Sequence, residues 1–495
     1  MMKSQMTNHE DYGLLATSRY VPRLRLERSE VFAQHRWMAP GLRSLAKGQR
    51  AIANWDEDAV TMAVESARAI RSSLSQDPAG LTLASNTLPF AERLNAGIVA
   101  AALGLPPSTV LRDVASSARA ATTELISALN HPTQSRQPQV IVGSDLRTAR
   151  PASTLEMIYG DGAASVAVGY GAVIATMVGS HSEYADFVDR FRENGEAYTY
   201  GWEERWVRDE GYMKVALDCV RACLSSLRID PSAVDHFVMP AVLPKVNEAV
   251  AKKLKIPATA VASTHGETVG DIGCGQSLAM LDTVLRQAKE GAIIVLVSFG
   301  SGCDTLVLRR TSQPCPGSEP DAGKSETSYL KYLSFTNQLQ LEWGMRAEMD
   351  NKTALTAAWR DHGRVAYFEG GKCRHCGTVQ FPSTRLCVNP ACNAQDSQDV
   401  ISLANAPAHV MSHTSDFLAY TPHPPFQFGH IDFDDGGRVL MEFTDTDQGE
   451  LQPGLPVRMV YRIKEYDSKR SFRRYFWKAV PVRSLGSAST APTGE

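Results

Sequence analysis

The sequence has no long hydrophobic run, and none of its segments approaches the roughly 18 apolar residues that a membrane-spanning helix needs. It also has no excess of one charge, because its 51 Lys and Arg residues nearly balance its 54 Asp and Glu residues. Such a chain has no overall electrostatic reason to bind nucleic acid or an anionic membrane. The N-terminal segment MMKSQMTNHEDYG lacks the apolar stretch of a secretory signal. We therefore expect a cytoplasmic protein that has neither nucleic acid nor a membrane as a partner.

Cysteine is scarce, and its distribution is uneven. Four of the nine cysteines lie between Cys373 and Cys392. In a chain without an export signal, such a cluster indicates metal binding rather than a disulfide framework. The remaining composition, with 43% hydrophobic and 21% charged residues, is that of a globular protein and excludes a mainly disordered or fibrous chain.

One break in composition divides the chain into a larger and a smaller unit. Residues 311–326 (TSQPCPGSEPDAGKSE) combine proline, glycine, serine and charge without an apolar period, which predicts a linker. Before it, helical patterns such as Asp58–Leu74 and Ile272–Ala288 alternate with apolar strands such as Ile293–Gly302. This alternation predicts α/β sheets covered on both faces, and its length suits two related halves rather than one sheet.

The smaller unit begins with an amphipathic stretch, Tyr329–Trp343, and continues with the cysteine cluster and short β-rich segments that predict a small antiparallel barrel. The predicted domains are a flexible N-terminus (1–14), two α/β halves (15–170 and 171–310), the linker (311–326), a helical hairpin with a zinc ribbon (327–398), a barrel (399–485) and a disordered tail (486–495).

The cysteine cluster has the spacing of a zinc site. Cys373 and Cys376 are separated by two residues, and Cys387 and Cys392 by four. A pair with two intervening residues presents both thiolates to one tetrahedral zinc, and a second pair closes the site without leaving an open position. The pattern therefore predicts a structural zinc rather than a catalytic one, and the alternative is four free thiols.

Five segments spread over residues 15–310 carry a family resemblance. They are YVPRLRL at Tyr20–Leu26, WDEDAVTMA at Trp55–Ala63, YGDGAASVAVG at Tyr159–Gly169, ETVGDIGCGQSLAML at Glu267–Leu281 and SFGSGCDTLVL at Ser298–Leu308. In this order they resemble the thiolase superfamily, most closely 3-hydroxy-3-methylglutaryl-CoA synthase and ketoacyl synthase III. The resemblance implies a duplicated α/β fold in α-β-α-β-α layers. The second unit is similar to the zinc-ribbon and OB-fold modules that accompany thiolase-like enzymes acting on acyl-CoA.

The catalytic residues of that family are replaced in this chain. The family's nucleophilic cysteine lies at a helix N-terminus, where the helix dipole favours a thiolate. In DVASSARAAT (Asp113–Thr122) the resemblance places Ala118 at the cysteine, and Ser117 beside it is a catalytic candidate. The family's histidine falls on Pro240, and the synthase's glutamate falls near Asn86–Thr87, where no carboxylate is present. We therefore expect no acyl-cysteine intermediate at the usual place.

Other polar residues are candidates for the chemistry. Asp271 replaces the asparagine of the family's G-N segment, and burial is expected to raise its pKa enough for acid–base work, with helix capping as the alternative. His236 and His265 are catalytic candidates, although single histidines at such positions more often have structural roles. Cys274 and Cys303 are the thiols expected near the site, and packing is their alternative role.

The resemblance also indicates how the substrate is held. The backbone N–H groups of Ala118 and Ser301 are expected to form an oxyanion hole. Gly300 and Gly302 are expected to shape the glycine loop that contains Ser301. Lys245 matches a family lysine at the channel mouth and is expected to face the phosphates of coenzyme A.

The function implied is that of a thiolase-like acyltransferase or lyase acting on acyl-CoA, with coenzyme A as substrate or product and zinc as a structural cofactor. Without the cysteine, we expect retro-aldol or retro-Claisen cleavage, or direct acyl transfer, on a β-keto or β-hydroxy acyl substrate. The resemblance implies a homodimer or a higher even oligomer. The alternatives are a condensing synthase with a relocated nucleophile and a non-catalytic acyl-CoA-binding scaffold. Nucleic-acid binding through Lys469–Arg474 (KRSFRR) has weak support, because such a run is usually a solvated face.

Overall fold

The computed structural model of the chain describes residues 11–316, 323–342 and 354–483, which form two compact units. Among the described residues, the first unit contains 11–53, 58–316 and 324–329, and the second contains 54–57, 323, 330–342 and 354–483. Within these ranges, every helix is too short or too polar to cross a lipid bilayer.

The first unit alternates strands and helices. Its strands are β1 Tyr12–Tyr20, β2 Leu24–Glu27, β3 Gln49–Ile52, β4 Gly80–Ala84, β5 Val110–Val114, β6 Gln139–Asp145, β7 Gly162–Tyr170, β8 Ala175–Tyr184, β9 Arg190–Phe191, β10 Tyr200–Gly201, β11 His236–Val238, β12 Ile293–Phe299, β13 Gly302–Arg310 and β14 Lys324–Glu326. Its α-helices are α1 Arg28–His35, α2 Ala59–Arg71, α3 Asn95–Ala102, α4 Ala120–Asn130, α5 Thr154–Ile158, α6 Glu204–Trp206, α7 Leu217–Leu227, α8 Val246–Leu254 and α9 Gln276–Gln287. A π-helical segment, Val207–Ala216, precedes α7, and 3-10 turns occupy Pro40–Leu45, Pro231–Ala233, Ala258–Ala260 and Gly273–Gly275.

The central sheet has nine strands in the order β11-β12-β13-β8-β1-β7-β6-β4-β5. Each half places parallel strands at the outer edge and antiparallel strands towards the middle. The prediction of two related halves agrees with this order, but the prediction of separate sheets was wrong. The halves join because β1 pairs with β8, where Leu14 is opposite Ala175.

The two faces of β12 show how the layers form. Ile294 and Leu296 pack in a core with α4 and α9, while Val295 and Val297 pack in a second core with α7 and α8. Side chains of one strand thus alternate between two helical layers, as the period of a strand requires. Helices α4 and α9 also contact strands of the other half, so they form a shared central layer. The expected α/β class is confirmed.

Local sequence explains where two predicted helices begin. Asp58 caps α2, because its carboxylate accepts from the N–H groups of Val60 and Thr61, both at 3.0 Å, while Thr61 Oγ1 accepts from Asp58 N at 2.8 Å. This reciprocal capping box satisfies N–H groups that a helix start leaves without partners. The helix predicted from Ile272 begins instead at Gln276, because Gly273 has a φ of +64° and opens a 3-10 turn.

The second unit contains two small sheets. Its elements are α10 Tyr329–Phe335 (whose first residue belongs to the first unit), α11 Leu355–Arg360, α12 His362–Ala366, β15 Glu369–Cys373, β16 Val379–Gln380, β17 Gln398–Ser402, β18 Ala408–Asp416, β19 Phe426–Phe433, β20 Arg438–Glu442, β21 Pro456–Asp467 and β22 Phe472–Pro481. The cysteine region has the strand order β16-β15-β17, and the C-terminal sheet has the order β20-β19-β18-β21-β22. A bridge between Phe443 and Ala479 connects the ends of that second sheet. This antiparallel sheet is compatible with the predicted OB-type barrel.

Several predicted boundaries differ from the structure. Tyr12–Leu14 belongs to β1 rather than to a flexible N-terminus. Lys324–Glu326 is not linker, because it pairs in parallel with Leu24–Leu26 of β2. The predicted tail 486–495, most of the predicted N-terminal segment, and Trp343 lie outside the described residues.

The second unit buries an ionic cluster. Lys478 is 1% exposed, and its Nζ lies 2.9 Å from Asp56 Oδ2 and 3.1 Å from Glu442 Oε2. Arg462 is equally buried, and its Nη2 lies 3.1 Å from an oxygen of Glu57 and of Asp445. Charges are tolerated in an interior only when they are paired, so each of these groups depends on its partners.

We predict that Lys478→Met lowers the free energy of unfolding of the second unit by about 3–5 kcal/mol, because it removes a buried cation that both Asp56 and Glu442 contact and leaves them, among the described residues, only Arg462 and Lys464, respectively. Arg438→Met is the matched control, since Arg438 is 52% exposed and pairs with Asp432 at the surface of the same C-terminal sheet. The control should cost less than about 1 kcal/mol. Urea denaturation of both variants measures the difference, and equal losses would refute the prediction.

Candidate active site

The position that the resemblance assigns to the nucleophile lies in the turn between β5 and α4. Ala118 stands two residues before Ala120, the first residue of α4, and a methyl group on Gly300 would lie 3.4 Å from the Ala118 nitrogen. Arg119 connects this turn to the glycine loop at residues 300–302, between β12 and β13. Its Nε donates to Gly300 O at 2.9 Å and its Nη1 donates to Asp304 Oδ1 at 2.7 Å. The structure therefore brings the two loops together.

Two backbone N–H groups at this meeting point have no protein partner. Within the described ranges, neither the Ala118 N–H nor the Ser301 N–H donates a hydrogen bond. Ser301 has a φ of +49° in the tight turn, where the Gly300 N–H donates to Gly302 O at 3.0 Å. Such N–H groups are donors for a ligand oxygen, and they need no particular side chain.

The carboxylate of Asp145, at the end of β6, holds two loops in place. Its Oδ1 accepts from Ser85 Oγ at 3.0 Å, Asn86 N at 2.8 Å and Thr87 Oγ1 at 2.9 Å, and its Oδ2 accepts from Cys274 N at 2.8 Å. A methyl group on Gly273 would lie 2.1 Å from Asp145 Oδ2, so the turn passes too close for any side chain.

Asp271 is held as an anion. Its Oδ2 lies 2.8 Å from Arg147 Nη1 and 3.6 Å from Arg190 Nη1, and its Oδ1 accepts from Gly273 N at 2.9 Å. Burial raises the pKa of Asp271, but the charges of the two arginines and the Gly273 N–H outweigh burial and lower that pKa below its ordinary value of 3.8. The expected rise in pKa was therefore wrong, and Asp271 is ionised at neutral pH.

The two thiols expected near the site occupy different places. Cys274 lies 3.4 Å from both Ser117 O and Asn86 Nδ2, and burial, followed by the nearby Asp145 charge, raises its thiol pKa well above the ordinary range. Cys303 lies in β13 and packs against α7, where Cys219 Sγ is 3.3 Å from Cys303 O. Only Cys274 adjoins the turn that contains Ser117.

His236 stands at the wrong end of its strand for catalysis at this site. It begins β11 and pairs with Ile294 near the start of β12, whereas Gly300 follows the end of β12. Ile294 and Gly300 are six residues apart along the chain, which corresponds to roughly 20 Å at about 3.3 Å per strand residue. Burial also lowers the pKa of His236, which favours a neutral ring.

His265 and Lys245 lie in turns. The Nε2 of His265 is 3.1 Å from Thr283 Oγ1 on α9, about two turns beyond Cys274, and its carbonyl accepts from Val269 N. This ring therefore connects its turn to α9, and a catalytic role for His265 stays a prediction. Lys245 is exposed immediately before α8, after the strand that leads to Pro240.

The four clustered cysteines converge. Their sulfur atoms all lie within 4.8 Å of one another, with 3.9 Å between Cys373 and Cys392 and 3.5 Å between Cys376 and Cys387. A zinc–sulfur distance of about 2.3 Å in a tetrahedron requires sulfur separations of about 3.8 Å. Disulfide sulfurs would be about 2.0 Å apart. The arrangement therefore fits one tetrahedral metal ion.

The sequence analysis missed Asp145, Arg147 and Arg190. Asp145 is the last residue of β6 and Arg147 lies two residues beyond it, and polar groups at the carboxyl ends of strands are a usable signal for a site. Arg190 gave no such signal, because it lies in a polar segment far from both residues in sequence.

The sequence of the first unit has relatives of known activity. Residues 224–308 match the C-terminal region of the 3-oxoacyl-[acyl-carrier-protein (ACP)] synthase III family. The hydroxymethylglutaryl-CoA synthase of Pyrococcus furiosus is 27% identical over 340 residues, which cover 67% of this chain and 95% of that protein. The enzyme of that name from Methanopyrus kandleri is 27% identical over 304 residues, which cover 60% of this chain and 86% of that protein.

Solved structures share the fold of the same region. The 3-oxoacyl-(acyl carrier protein) synthase III of Pseudomonas aeruginosa PAO1 superposes with a TM-score of 0.54 at 22% identity, covering 62% of this chain and 100% of that chain. A variant of OleA from Xanthomonas campestris superposes with a TM-score of 0.54 at 20% identity, covering 61% of this chain and 98% of that chain. Together with the ordered motifs and the duplicated sheet, these matches show that the first unit has the thiolase-like fold and that its sequence is similar to those of 3-oxoacyl-ACP synthase III and hydroxymethylglutaryl-CoA synthase.

Proposed function

We propose that the first unit makes or breaks a carbon–carbon bond next to the thioester carbonyl of an acyl-CoA, without an acyl-cysteine intermediate. The observation that carries this proposal is the pair of partner-free N–H groups of Ala118 and Ser301 where the two loops meet. Donors placed there stabilise an enolate oxygen, which is the intermediate shared by aldol and Claisen reactions and their reverse.

On a β-hydroxy acyl-CoA, the proposed cleavage runs as a retro-aldol reaction. The Asp271 carboxylate accepts the proton of the β-hydroxyl, and the O–H electrons form the new carbonyl. The bond between the α- and β-carbons breaks, and its electron pair enters the enolate, whose oxygen accepts from Ala118 N–H and Ser301 N–H. Asp271 returns the proton to the α-carbon. The reverse sequence forms the bond.

An ionised carboxylate suits the role of base. A carboxylate whose pKa is near or below its ordinary value is a weak base, so proton transfer depends on how strongly the N–H groups stabilise the enolate. Ser117 has no basic side chain beside it among the described residues, and we assign it contact with substrate rather than nucleophilic attack. Lys245 binds the phosphates of coenzyme A.

A condensing synthase with a relocated nucleophile is the second candidate. Cys274 favours it, because this thiol lies beside Ser117 O in the same site. The raised pKa of Cys274 opposes it, because the thiolate is the reactive form. A scaffold that binds acyl-CoA without turnover is the outcome if neither chemistry occurs.

For the second unit we propose a structural zinc ion held by the four cysteines. The hydroxyl of Ser397, 3.3 Å from Cys373 Sγ, and neighbouring N–H groups lower the pKa of Cys373 to about 6, which favours the thiolate that zinc requires. For the assembled protein we propose a homodimer, because most soluble oligomers close by a two-fold axis.

The zinc proposal predicts about one zinc per chain, which Cys373→Ser/Cys376→Ser removes because two ligands cannot hold a closed site. Metal analysis of the purified proteins measures this, with Cys315→Ser as the control outside the cluster. Chelation should unfold the second unit before the first. A double variant that keeps its full zinc content would rule the site out.

The absence of an acyl-enzyme is a second prediction. After incubation with labelled acetyl-CoA and an acid quench, intact-mass analysis of the native chain should show no acyl adduct. Ala118→Cys should acquire one, because a thiol there stands next to a free N–H and the start of α4. A stable adduct on the native chain that disappears in Cys274→Ser would instead support the condensing synthase.

The third prediction concerns pH. Asp271→Asn keeps the shape and removes the base, so turnover should fall by about 10²–10⁴. Because the pKa of Asp271 in the folded chain is lowered from 3.8, its basic form predominates at higher pH and is lost only as pH falls through that lowered pKa. The native kcat/KM should therefore have no acidic limb centred above pH 4. A loss of kcat/KM centred near pH 6 would indicate that another group is the base. Full turnover by Asp271→Asn would show that Asp271 has no role in the mechanism.

A further inference from the structure

Two buried donors beside Asp271 have no hydrogen-bond partner among the residues that the structure describes. They are Nη1 of Arg190 and the hydroxyl of Tyr159. Tyr159 is fully buried, and its ring lies under the guanidinium of Arg147, 3.5 Å from Cζ to the ring centre. Buried donors without partners are rare in proteins, and each costs free energy unless an acceptor reaches it.

The two arginines converge on one small region with more donors than Asp271 uses. Arg190 is anchored through Nε to Asp189 at 3.0 Å, which leaves Nη1 directed at Asp271 from 3.6 Å, beyond hydrogen-bond distance. Arg147 gives Asp271 one hydrogen bond through Nη1. In the described part of the chain, the remaining guanidinium N–H groups of Arg147 donate to no residue, while its backbone N–H donates to Asp161.

This region adjoins the proposed reaction centre. The Asp271 side chain keeps 14% of its surface exposed and that of Arg190 keeps 17%. Gly273 N binds Asp271, and the next residue, Cys274, contacts Ser117 and Asn86. An anion at the arginines would therefore lie close to the thioester carbonyl.

We propose that Arg147 and Arg190 bind a carboxylate carried by the acyl group, so that the substrate is a carboxyacyl-CoA thioester. This inference rests on the proposed function and narrows its substrate class. A guanidinium presents parallel N–H donors that match the two oxygens of a carboxylate, and such charge-assisted pairs are strong. The Tyr159 hydroxyl supplies a further donor to the same anion.

A phosphate of coenzyme A has related chemistry and is the other source of such an anion. The arginines stand beside the residues proposed to handle the acyl carbon, whereas the candidate for the phosphates, Lys245, is exposed on another turn. The acyl carboxylate therefore fits the position better. Asp271 competes for the same donors, so its charge should weaken carboxylate binding.

Calorimetric titration of the full chain tests the proposal with two four-carbon thioesters, succinyl-CoA and butyryl-CoA, which differ in the terminal carboxylate. Succinyl-CoA should bind at least about 10-fold more tightly than butyryl-CoA, since a hydrogen bond to a charged group typically contributes about a tenfold gain in affinity or more. Arg190→Gln should abolish the preference and leave butyryl-CoA affinity unchanged. Asp271→Asn should strengthen succinyl-CoA binding, a gain that a merely structural role would not produce. Arg205→Gln, at an arginine that is 87% exposed, is the control and should behave as the native chain.

The outcomes separate this inference from the proposed function. Equal affinity for both esters overturns the carboxylate site while leaving acyl-CoA chemistry intact. Failure to bind either ester counts against the proposed function itself. A loss of affinity for free coenzyme A and pyrophosphate in Arg190→Gln, without a change in the ratio of the two esters, would assign the arginines to phosphate and also overturn the proposal. If Arg190→Gln does not fold, two measurements still test the proposal. The native chain should bind succinyl-CoA more tightly than butyryl-CoA, and Asp271→Asn should bind succinyl-CoA more tightly than the native chain does.

Discussion

The site depends on one buried carboxylate, that of Asp145. It accepts hydrogen bonds from the loop that follows β4 and from the turn at Cys274, so it connects the two halves of the fold where their strands end. The backbones also meet nearby, because a methyl group on Gly143 would lie 2.4 Å from Cys274 O. This close contact fixes the position of Cys274 relative to Asn86. The chemistry of the site is then decided by the few side chains that project between these loops.

Ordered motifs made the fold of the first unit predictable, and spacing made the cysteine cluster predictable. Alternating apolar strands such as β12 identify sheets covered on both faces, but they do not show whether two halves share one sheet, which depends on the pairing of β1 with β8. The inclusion of Asn54–Glu57 in the second unit was equally hidden, because it depends on ion pairs with Lys478 and Arg462 that are remote in sequence.

The sequence named residues for a candidate site, but it did not reveal their electrostatics. The sequence identified Asp271 and the loop at Ser301, but burial alone gave the wrong direction for the pKa of Asp271. The direction depends on Arg147 and Arg190, whose positions only the folded chain reveals. His236 was misjudged for a related reason, because the position of a residue along its strand decides which end of the sheet it reaches.

Enolate formation at the thioester is the central claim, and exchange of the α-protons of an acyl-CoA with solvent deuterium measures it most directly. Proton NMR of butyryl-CoA in D₂O follows this exchange without requiring knowledge of the natural acyl group. We predict that the native chain accelerates exchange over the uncatalysed rate and that Asp271→Asn loses most of this acceleration. Tight binding of butyryl-CoA without any acceleration of exchange would contradict the account and leave the first unit as an acyl-CoA-binding scaffold.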